Sequence, residues 1–125
     1  MPSPTARVLV VEDEPRVAAV LRDALTDLGY AVQVADNGAE ALQLVPVYQP
    51  HVVLLDLSMP AIPGDVVLER LRASHPDLPV IVVTGNTDAD RARATLARGA
   101  FDYVAKPFDF AGLARILEAA VAYRG

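Results

Sequence analysis

The chain alternates between short apolar runs and longer segments in which apolar residues recur at helical spacing, and this alternation repeats five times. Runs that are apolar on both faces predict buried strands, and strands separated by helices form parallel sheets with right-handed crossovers. The predicted strands cover residues 8–11, 30–35, 51–55, 80–83 and 101–104. The sequence therefore predicts a doubly wound α/β sandwich, with helices on both faces of a five-stranded parallel sheet.

The predicted helices follow the strands and are bounded by glycine and proline. They cover residues 17–28, 39–45, 64–74, 89–98 and 110–123. Gly29 and Gly99 stand where a helix commonly ends in a left-handed residue. Pro46 is expected to stop the second helix, because proline removes a backbone donor from a helix interior.

Composition limits the class of protein. The 125 residues match one domain, which we expect to span 1–125 with a core of about 6–123. The absence of cysteine excludes disulfides, thiolate catalysis and Cys-ligated zinc. A net charge of -5 argues against direct binding to nucleic acid or to an anionic membrane. Neither a signal peptide nor an apolar stretch of membrane-spanning length is recognisable, so we expect a cytoplasmic protein.

The polar residues that could carry chemistry stand at the carboxyl ends of the predicted strands. Glu12 and Asp13 follow the first strand, and Asp56 follows the third. Thr84 follows the fourth strand, and Lys106, the only lysine among 11 basic residues, lies just behind the fifth. Since the ligand sites of open parallel sheets lie beyond these strand ends, we expect the five residues to share one rim.

Three carboxylates at one rim need a compensating cation. At about 4 Å and an effective dielectric constant of about 20, each close pair would repel by about 4 kcal/mol. A hard divalent cation such as Mg²⁺ fits oxygen ligands, and Lys106 supplies a second positive charge. Metal, ammonium and hydroxyl suit phosphoryl transfer, in which charge on the transferred oxygens must be stabilised. Asp56 is the candidate nucleophile, because carboxylates form aspartyl-phosphate intermediates.

Four stretches and one glycine carry a resemblance to a known family. They are VLVVEDEP at 8–15, VLLDLSMP at 53–60 with Gly64, VVTG at 82–85 and YVAKP at 103–107. In this order the chain resembles, over essentially its whole length, the receiver domain of two-component response regulators, of the chemotaxis-regulator type. The resemblance implies a (βα)5 three-layer sandwich of the flavodoxin-like kind, with strand order 2-1-3-4-5.

The resemblance also implies a role for the rim residues. Asp56 would be the phosphoacceptor, receiving a phosphoryl group from a histidine of a sensor kinase or of a histidine phosphotransfer protein. Asp13, Asp56 and the backbone carbonyl of Ser58 would bind Mg²⁺ or Mn²⁺. Glu12 would bind the metal through water, and Lys106 would pair with a phosphoryl oxygen. The chain would thus be a signalling domain that catalyses its own phosphorylation and dephosphorylation.

Further implications concern the switch. Thr84 would move to hydrogen-bond the phosphoryl group, and Tyr103 would turn inward behind it. This would change the surface of the fourth helix, fifth strand and fifth helix, which would control a downstream protein target or form a homodimer. A cis bond before Pro107 would aim the lysine inward. Ser58 and Asn86 would tune the access of water and hence dephosphorylation.

Other interpretations remain open. The chain could be a single-domain regulator, or a receiver excised from a hybrid histidine kinase or from a DNA-binding response regulator. A haloacid-dehalogenase-type phosphatase also uses an aspartyl nucleophile, but it needs a second acid where this chain has Ser58. A flavodoxin-like cofactor binder needs a phosphate-binding loop after the first strand, where this chain is acidic. A pseudo-receiver that only scaffolds partners would not need the acids, hydroxyl and lysine together.

Overall fold

The computed structural model describes residues 5–59, 62–85 and 89–124, and it shows strands and helices in strict alternation. The strands are β1 (Arg7–Val11), β2 (Ala31–Ala35), β3 (Val52–Asp56), β4 (Val80–Gly85) and β5 (Asp102–Lys106). The helices are α1 (Pro15–Asp27), α2 (Gly38–Tyr48), α3 (Gly64–Ser74), α4 (Ala89–Ala97) and α5 (Phe110–Arg124). The strands form one parallel sheet in the order β2-β1-β3-β4-β5, which confirms the predicted doubly wound fold.

Successive residues of the inner strands point to opposite faces of the sheet and fill two separate cores. Leu9 of β1 and Leu55 of β3 belong to one core, together with Leu68 of α3. Val10 of β1 belongs to the other core, together with Leu117 of α5. Helices α2 and α3 therefore cover one face, and α1 and α5 cover the other. Because both faces are buried, chemistry is confined to the ends of the strands.

The boundaries of the helices agree with the glycine signals but not with the proline signal. Gly29 and Gly99 have φ angles of 98° and 103°, in the left-handed region expected after a helix end. The prediction that Pro46 stops the second helix is wrong, because α2 continues to Tyr48. Proline's fixed φ suits a helix, and buried Val45 anchors this last turn in the core. Within the described ranges, no helix combines the length and apolar character needed to cross a membrane.

Candidate functional site

The carboxyl ends of the central strands bring the predicted site residues to one rim. Asp56 is the last residue of β3, which lies between β1 and β4. Glu12 follows β1 directly, and its backbone N–H donates to the carbonyl of Ala35 at the end of β2. Lys106 is itself the last residue of β5, rather than lying behind that strand as predicted. The sheet order therefore places the acids of β1 and β3 side by side, within reach of a lysine from the edge strand.

Lys106 bridges two buried carboxylates. Its ammonium Nζ lies 3.2 Å from Oδ2 of Asp56 and 3.3 Å from Oε1 of Glu12. Glu12 and Asp56 are only 2% and 3% exposed, whereas Asp13 is half-buried. One oxygen of each of these three acids lies within 4.8 Å of the others. The Lys106 ammonium thus contacts two of three closely spaced carboxyl groups, and Asp13 adds a further acidic group to the rim.

Burial and neighbouring charges together shift the pKa values of Glu12 and Lys106. Burial raises the pKa of Glu12 from 4.5 to about 7, and contact with the Asp56 carboxylate adds to the rise. The backbone N–H of Glu14 and the charge of Lys106 act in the opposite direction without cancelling it. Partial burial acts to lower the pKa of Lys106, but the neighbouring carboxylates of Asp56 and Glu12 outweigh it and raise the pKa. The protonation of Glu12 and that of Lys106 therefore affect each other, because the two groups lie in contact.

The residues at the rim fit a hard divalent cation. Oε1 of Glu12 is buried and accepts no hydrogen bond from the part of the chain that the structure describes, although Lys106 lies within ion-pair distance. The Lys106 ammonium offsets part of the cost of burying this oxygen, and the nearby carboxyl groups of Asp13 and Asp56 offer further oxygens to a second cation. The neighbouring ligand atoms are all oxygens, which suit Mg²⁺ or Mn²⁺. Ser58 reaches the site through its backbone N–H, which donates to Oδ1 of Asp56 over 2.9 Å.

The predicted switch residues lie on β4, which is next to the strand of Asp56, and on β5, which is next to β4. Thr84 is buried within β4, which extends to Gly85, so this residue belongs to the strand rather than following it. Tyr103 of β5 is partly buried and packs against the core between the sheet and α3. The peptide bond between Lys106 and Pro107 is cis, as predicted. Asn86 lies outside the described residues.

One residue that the sequence analysis did not identify also reaches this region. Arg91 of α4 donates from Nη2 to the carbonyl oxygen of Leu57 over 2.8 Å, directly after Asp56. Nothing in the sequence distinguishes Arg91 from the other arginines, and a contact across 34 positions has no periodic pattern to reveal it. The tertiary structure alone brings this side chain to the loop after β3.

Comparison with known proteins decides the family. A family model described as the response regulator receiver domain matches residues 8–118. The chain belongs to this family. Receiver domains act in signalling, bind Mg²⁺ in general, and work with histidine kinases and downstream effectors. The resemblance drawn from the sequence motifs is thereby confirmed.

The relatives of this receiver domain are longer proteins. It is 37% identical over 116 residues to the DNA-binding transcriptional regulator NtrC of Escherichia coli strain K12, covering 93% of this chain and 25% of NtrC. It is 41% identical over 102 residues to the response regulator MprA of Mycobacterium sp. strain KMS, covering 82% of this chain and 44% of MprA. The receiver therefore spans a quarter to less than half of the length of these relatives.

Solved structures show the same fold. The response regulator receiver domain protein from Clostridium thermocellum superposes with a TM-score of 0.89 at 28% identity, covering 94% of each chain. NtrX from Brucella abortus superposes with a TM-score of 0.91 at 28% identity, covering 97% of this chain and 28% of NtrX. The flavodoxin-like arrangement of the receiver is therefore shown by its topology and by its structural relatives.

Proposed function

We propose that this receiver is a phosphorylation-activated switch in which Asp56 accepts a phosphoryl group from a phosphohistidine of a sensor kinase or of a histidine phosphotransfer protein. The observation that carries the proposal is the position of the Lys106 ammonium, 3.2 Å from Asp56 Oδ2 and 3.3 Å from Glu12 Oε1. This places a cation beside the oxygen that would attack, on the buried rim where the acids meet. Membership of the family supports the same role.

The proposed metal ligands are the carboxylates of Asp13 and Asp56 and the backbone carbonyl of Ser58, with Glu12 acting through water. The three acids meet the requirement for closely spaced oxygen donors. Bound Mg²⁺ or Mn²⁺ would neutralise charge on the transferred phosphoryl oxygens. The hydrogen bond that Asp56 accepts from Ser58 then holds one carboxylate oxygen in a fixed direction.

The transfer itself needs a nucleophile and a second cation. A carboxylate oxygen of Asp56 forms a bond to phosphorus while the phosphorus–nitrogen bond of the phosphohistidine breaks. The imidazole nitrogen keeps the bonding electron pair, and the product is an acyl phosphate. Lys106, which already pairs with Asp56, would neutralise an oxygen of the transferred group as a compact point charge.

The switch would follow from two side chains on neighbouring strands. Thr84 of β4 would hydrogen-bond the phosphoryl group, and Tyr103 of β5 would turn inward behind it, since β4 pairs with the strand of Asp56 and β5 pairs with β4. The surface of α4, β5 and α5 would change as a result and would control a downstream protein or form a homodimer. Ser58 and Asn86 would set the rate at which water removes the phosphoryl group. The domain would act as a switch that promotes its own phosphorylation and dephosphorylation.

One of the longer relatives suggests a specific form of output, the control of DNA binding. NtrC is a DNA-binding transcriptional regulator of which this receiver matches a quarter. A second candidate role is therefore regulation of a DNA-binding protein in which the receiver itself makes no contact with nucleic acid. The net charge of -5 agrees with a role in which another part of the protein binds DNA, because an acidic receiver does not attract the phosphates of nucleic acid.

The proposal is tested by phosphorylation with a small phosphodonor. The receiver is incubated with phosphoramidate or acetyl phosphate and Mg²⁺, and its intact mass is measured. We expect one added phosphoryl group in the wild type and none in Asp56→Asn, because the amide cannot form the acyl phosphate. Omission of Mg²⁺ should slow the reaction strongly. An equal adduct in Asp56→Asn would show that another residue is the acceptor.

A further inference from the structure

The peptide group between Leu57 and Ser58 makes hydrogen bonds in two directions. Its N–H, on Ser58, donates to Oδ1 of Asp56 over 2.9 Å. Its carbonyl oxygen, on Leu57, accepts from Nη2 of Arg91 over 2.8 Å. One peptide group therefore connects the carboxylate of Asp56 to a side chain of α4.

Arg91 is oriented by a second contact. The same Nη2 lies 3.4 Å from Oδ1 of Asp65, in the first turn of α3. The two side chains are 36% and 35% exposed, and ion pairs with this much access to water contribute little to stability. The pair with Asp65 therefore matters more for the orientation of Arg91 than for the stability of the fold.

The backbone at the start of α3 packs closely against the same loop. A Cβ atom on Gly64 would lie 2.7 Å from Cα of Leu57, which is too close for two carbon atoms, and 3.1 Å from the carbonyl oxygen of Asp56, which is tight. The loop after β3 thus contacts both the start of α3 and the guanidinium of Arg91. A shift of α4 that moves Arg91 must either break its hydrogen bond or move this loop.

We propose that Arg91 is a positioning residue for Asp56, acting through the Leu57–Ser58 peptide group, and that it couples the position of α4 to the phosphorylation of Asp56. The inference rests on the proposed phosphorylation of Asp56 and adds to it a second connection between the site and α4. The switch residues proposed above act from β4 and β5, whereas this connection runs through the loop after β3.

The physical basis is the polarisation of one hydrogen bond by the next. A charged donor on the Leu57 carbonyl draws electron density towards that oxygen, which makes the Ser58 N–H a stronger donor to Asp56. The N–H then holds Oδ1 of Asp56, while Lys106 holds Oδ2. A carboxylate held at both oxygens is oriented before the donor arrives, which favours attack.

The coupling acts in both directions, because linkage between two sites is reciprocal. A partner that binds α4 and draws Arg91 away from the Leu57 carbonyl would slow the phosphorylation of Asp56. Phosphorylation would in turn change how firmly the peptide group holds Arg91, and hence the surface that α4 presents. The partner of the output surface would thereby affect the phosphorylation level as well as respond to it.

The test compares two arginines on one helix. Arg93 is exposed and pairs with Asp90 on α4 itself, so Arg93→Ala is the matched control for Arg91→Ala. With phosphoramidate and Mg²⁺, we expect the initial rate of phosphorylation to fall about fivefold in Arg91→Ala and to stay unchanged in Arg93→Ala. Arg91→Lys should restore most of the rate, because a single nitrogen makes both contacts of Arg91 and lysine also offers one cationic nitrogen.

A spectroscopic measurement separates positioning from a general effect on folding. The backbone amide of Ser58 is followed by NMR in the unphosphorylated protein. Its proton resonance should move in the direction of a weaker hydrogen bond in Arg91→Ala, return in Arg91→Lys, and stay in place in Arg93→Ala. Arg91→Met keeps much of the aliphatic side chain but offers no donor to the Leu57 carbonyl, so it takes the place of Arg91→Ala, with the same expected rate and resonance shift, if Arg91→Ala folds poorly.

The outcomes distinguish this inference from the proposed function. A phosphorylated wild type with equal rates in Arg91→Ala and Arg93→Ala would overturn the inference and leave the role of Asp56 intact. A slower Arg91→Ala whose Ser58 amide has not moved would also overturn it, because Arg91 would then act by another route. A wild type that no donor phosphorylates would refute the proposed function, and this inference with it.

Discussion

Glu12→Gln should stabilise the metal-free receiver at high pH but not at low pH. Glutamine has nearly the shape of the protonated glutamic acid and carries no charge at any pH. The buried carboxyl of Glu12 has its pKa raised from 4.5 to about 7, chiefly by burial and then by contact with Asp56. The folded protein therefore binds this proton more tightly than the unfolded chain does. Stability contributed by the bound proton is present at low pH and is lost as the pH rises from about 4.5 through 7.

The size of the effect follows from these two pKa values. Integrated between pH 5 and pH 8, the difference in proton binding removes about 2–3 kcal/mol of stability from the wild type. Glu12→Gln lacks this titration, whereas the other groups that titrate are common to both proteins. The gap in unfolding free energy between variant and wild type should therefore grow by about 2–3 kcal/mol over this pH range.

The assay is urea denaturation in EDTA at both pH values, followed by far-ultraviolet circular dichroism because the chain has no tryptophan. Glu14→Gln is the control, since Glu14 is exposed, stands at the start of α1 and makes no side-chain capping hydrogen bond. Its stability relative to the wild type should be the same at pH 5 and pH 8. If the unfolding free energies of Glu12→Gln and the wild type instead differ by the same amount at pH 5 and pH 8, the pKa of Glu12 is not raised by folding. The description of the rim as a site that disfavours the charged carboxylate would then be wrong.

Two further substitutions test the geometry of the rim and of the loop beside it. Lys106→Arg should still bind Mg²⁺ in a calorimetric titration. In NMR spectra it should lose the phosphorylation-dependent change of the α4, β5 and α5 surface, because a planar guanidinium cannot replace a point charge. A normal change in this variant would contradict the role given to the lysine. Gly64→Ala should lower the unfolding free energy by about 1–3 kcal/mol, because its Cβ would meet the backbone of Leu57. Gly85→Ala, where a Cβ meets nothing within 4 Å, should cost much less in the same denaturation experiment, and equal losses would refute the steric argument.

The sequence determined the fold and which residues come together at the carboxyl ends of the strands. Five buried apolar runs separated by helical periodicity require a parallel sheet covered on both faces. The carboxyl ends of parallel strands meet at one edge, so residues that end or follow those strands, such as Asp56 and Lys106, must come together. These arguments depend only on local pattern and on the polarity of the chain. For this reason they needed no knowledge of the packing.

Local rules failed where packing outweighed them. Pro46 loses one backbone hydrogen bond, yet α2 continues past it to Tyr48 because buried Val45 anchors that turn in the core. A rule based on propensity carries no information about burial, so it placed the end of the helix too early. The distances between the acids of the rim and Lys106 could not be predicted from the sequence either, since they depend on the directions of side chains at the ends of three strands.

The connection from Asp56 to α4 was decided by the tertiary structure alone. Arg91 is one of ten arginines, and its spacing from Leu57 follows no helical or strand period. Its contact requires that α4 present this side chain to the loop after β3 rather than to solvent. The direction in which α4 presents this side chain depends on how the helix packs on β4 and β5, and this packing involves many weak contacts at once. The pattern of the sequence specifies the elements and their order, whereas the fit between them selects which polar side chains meet.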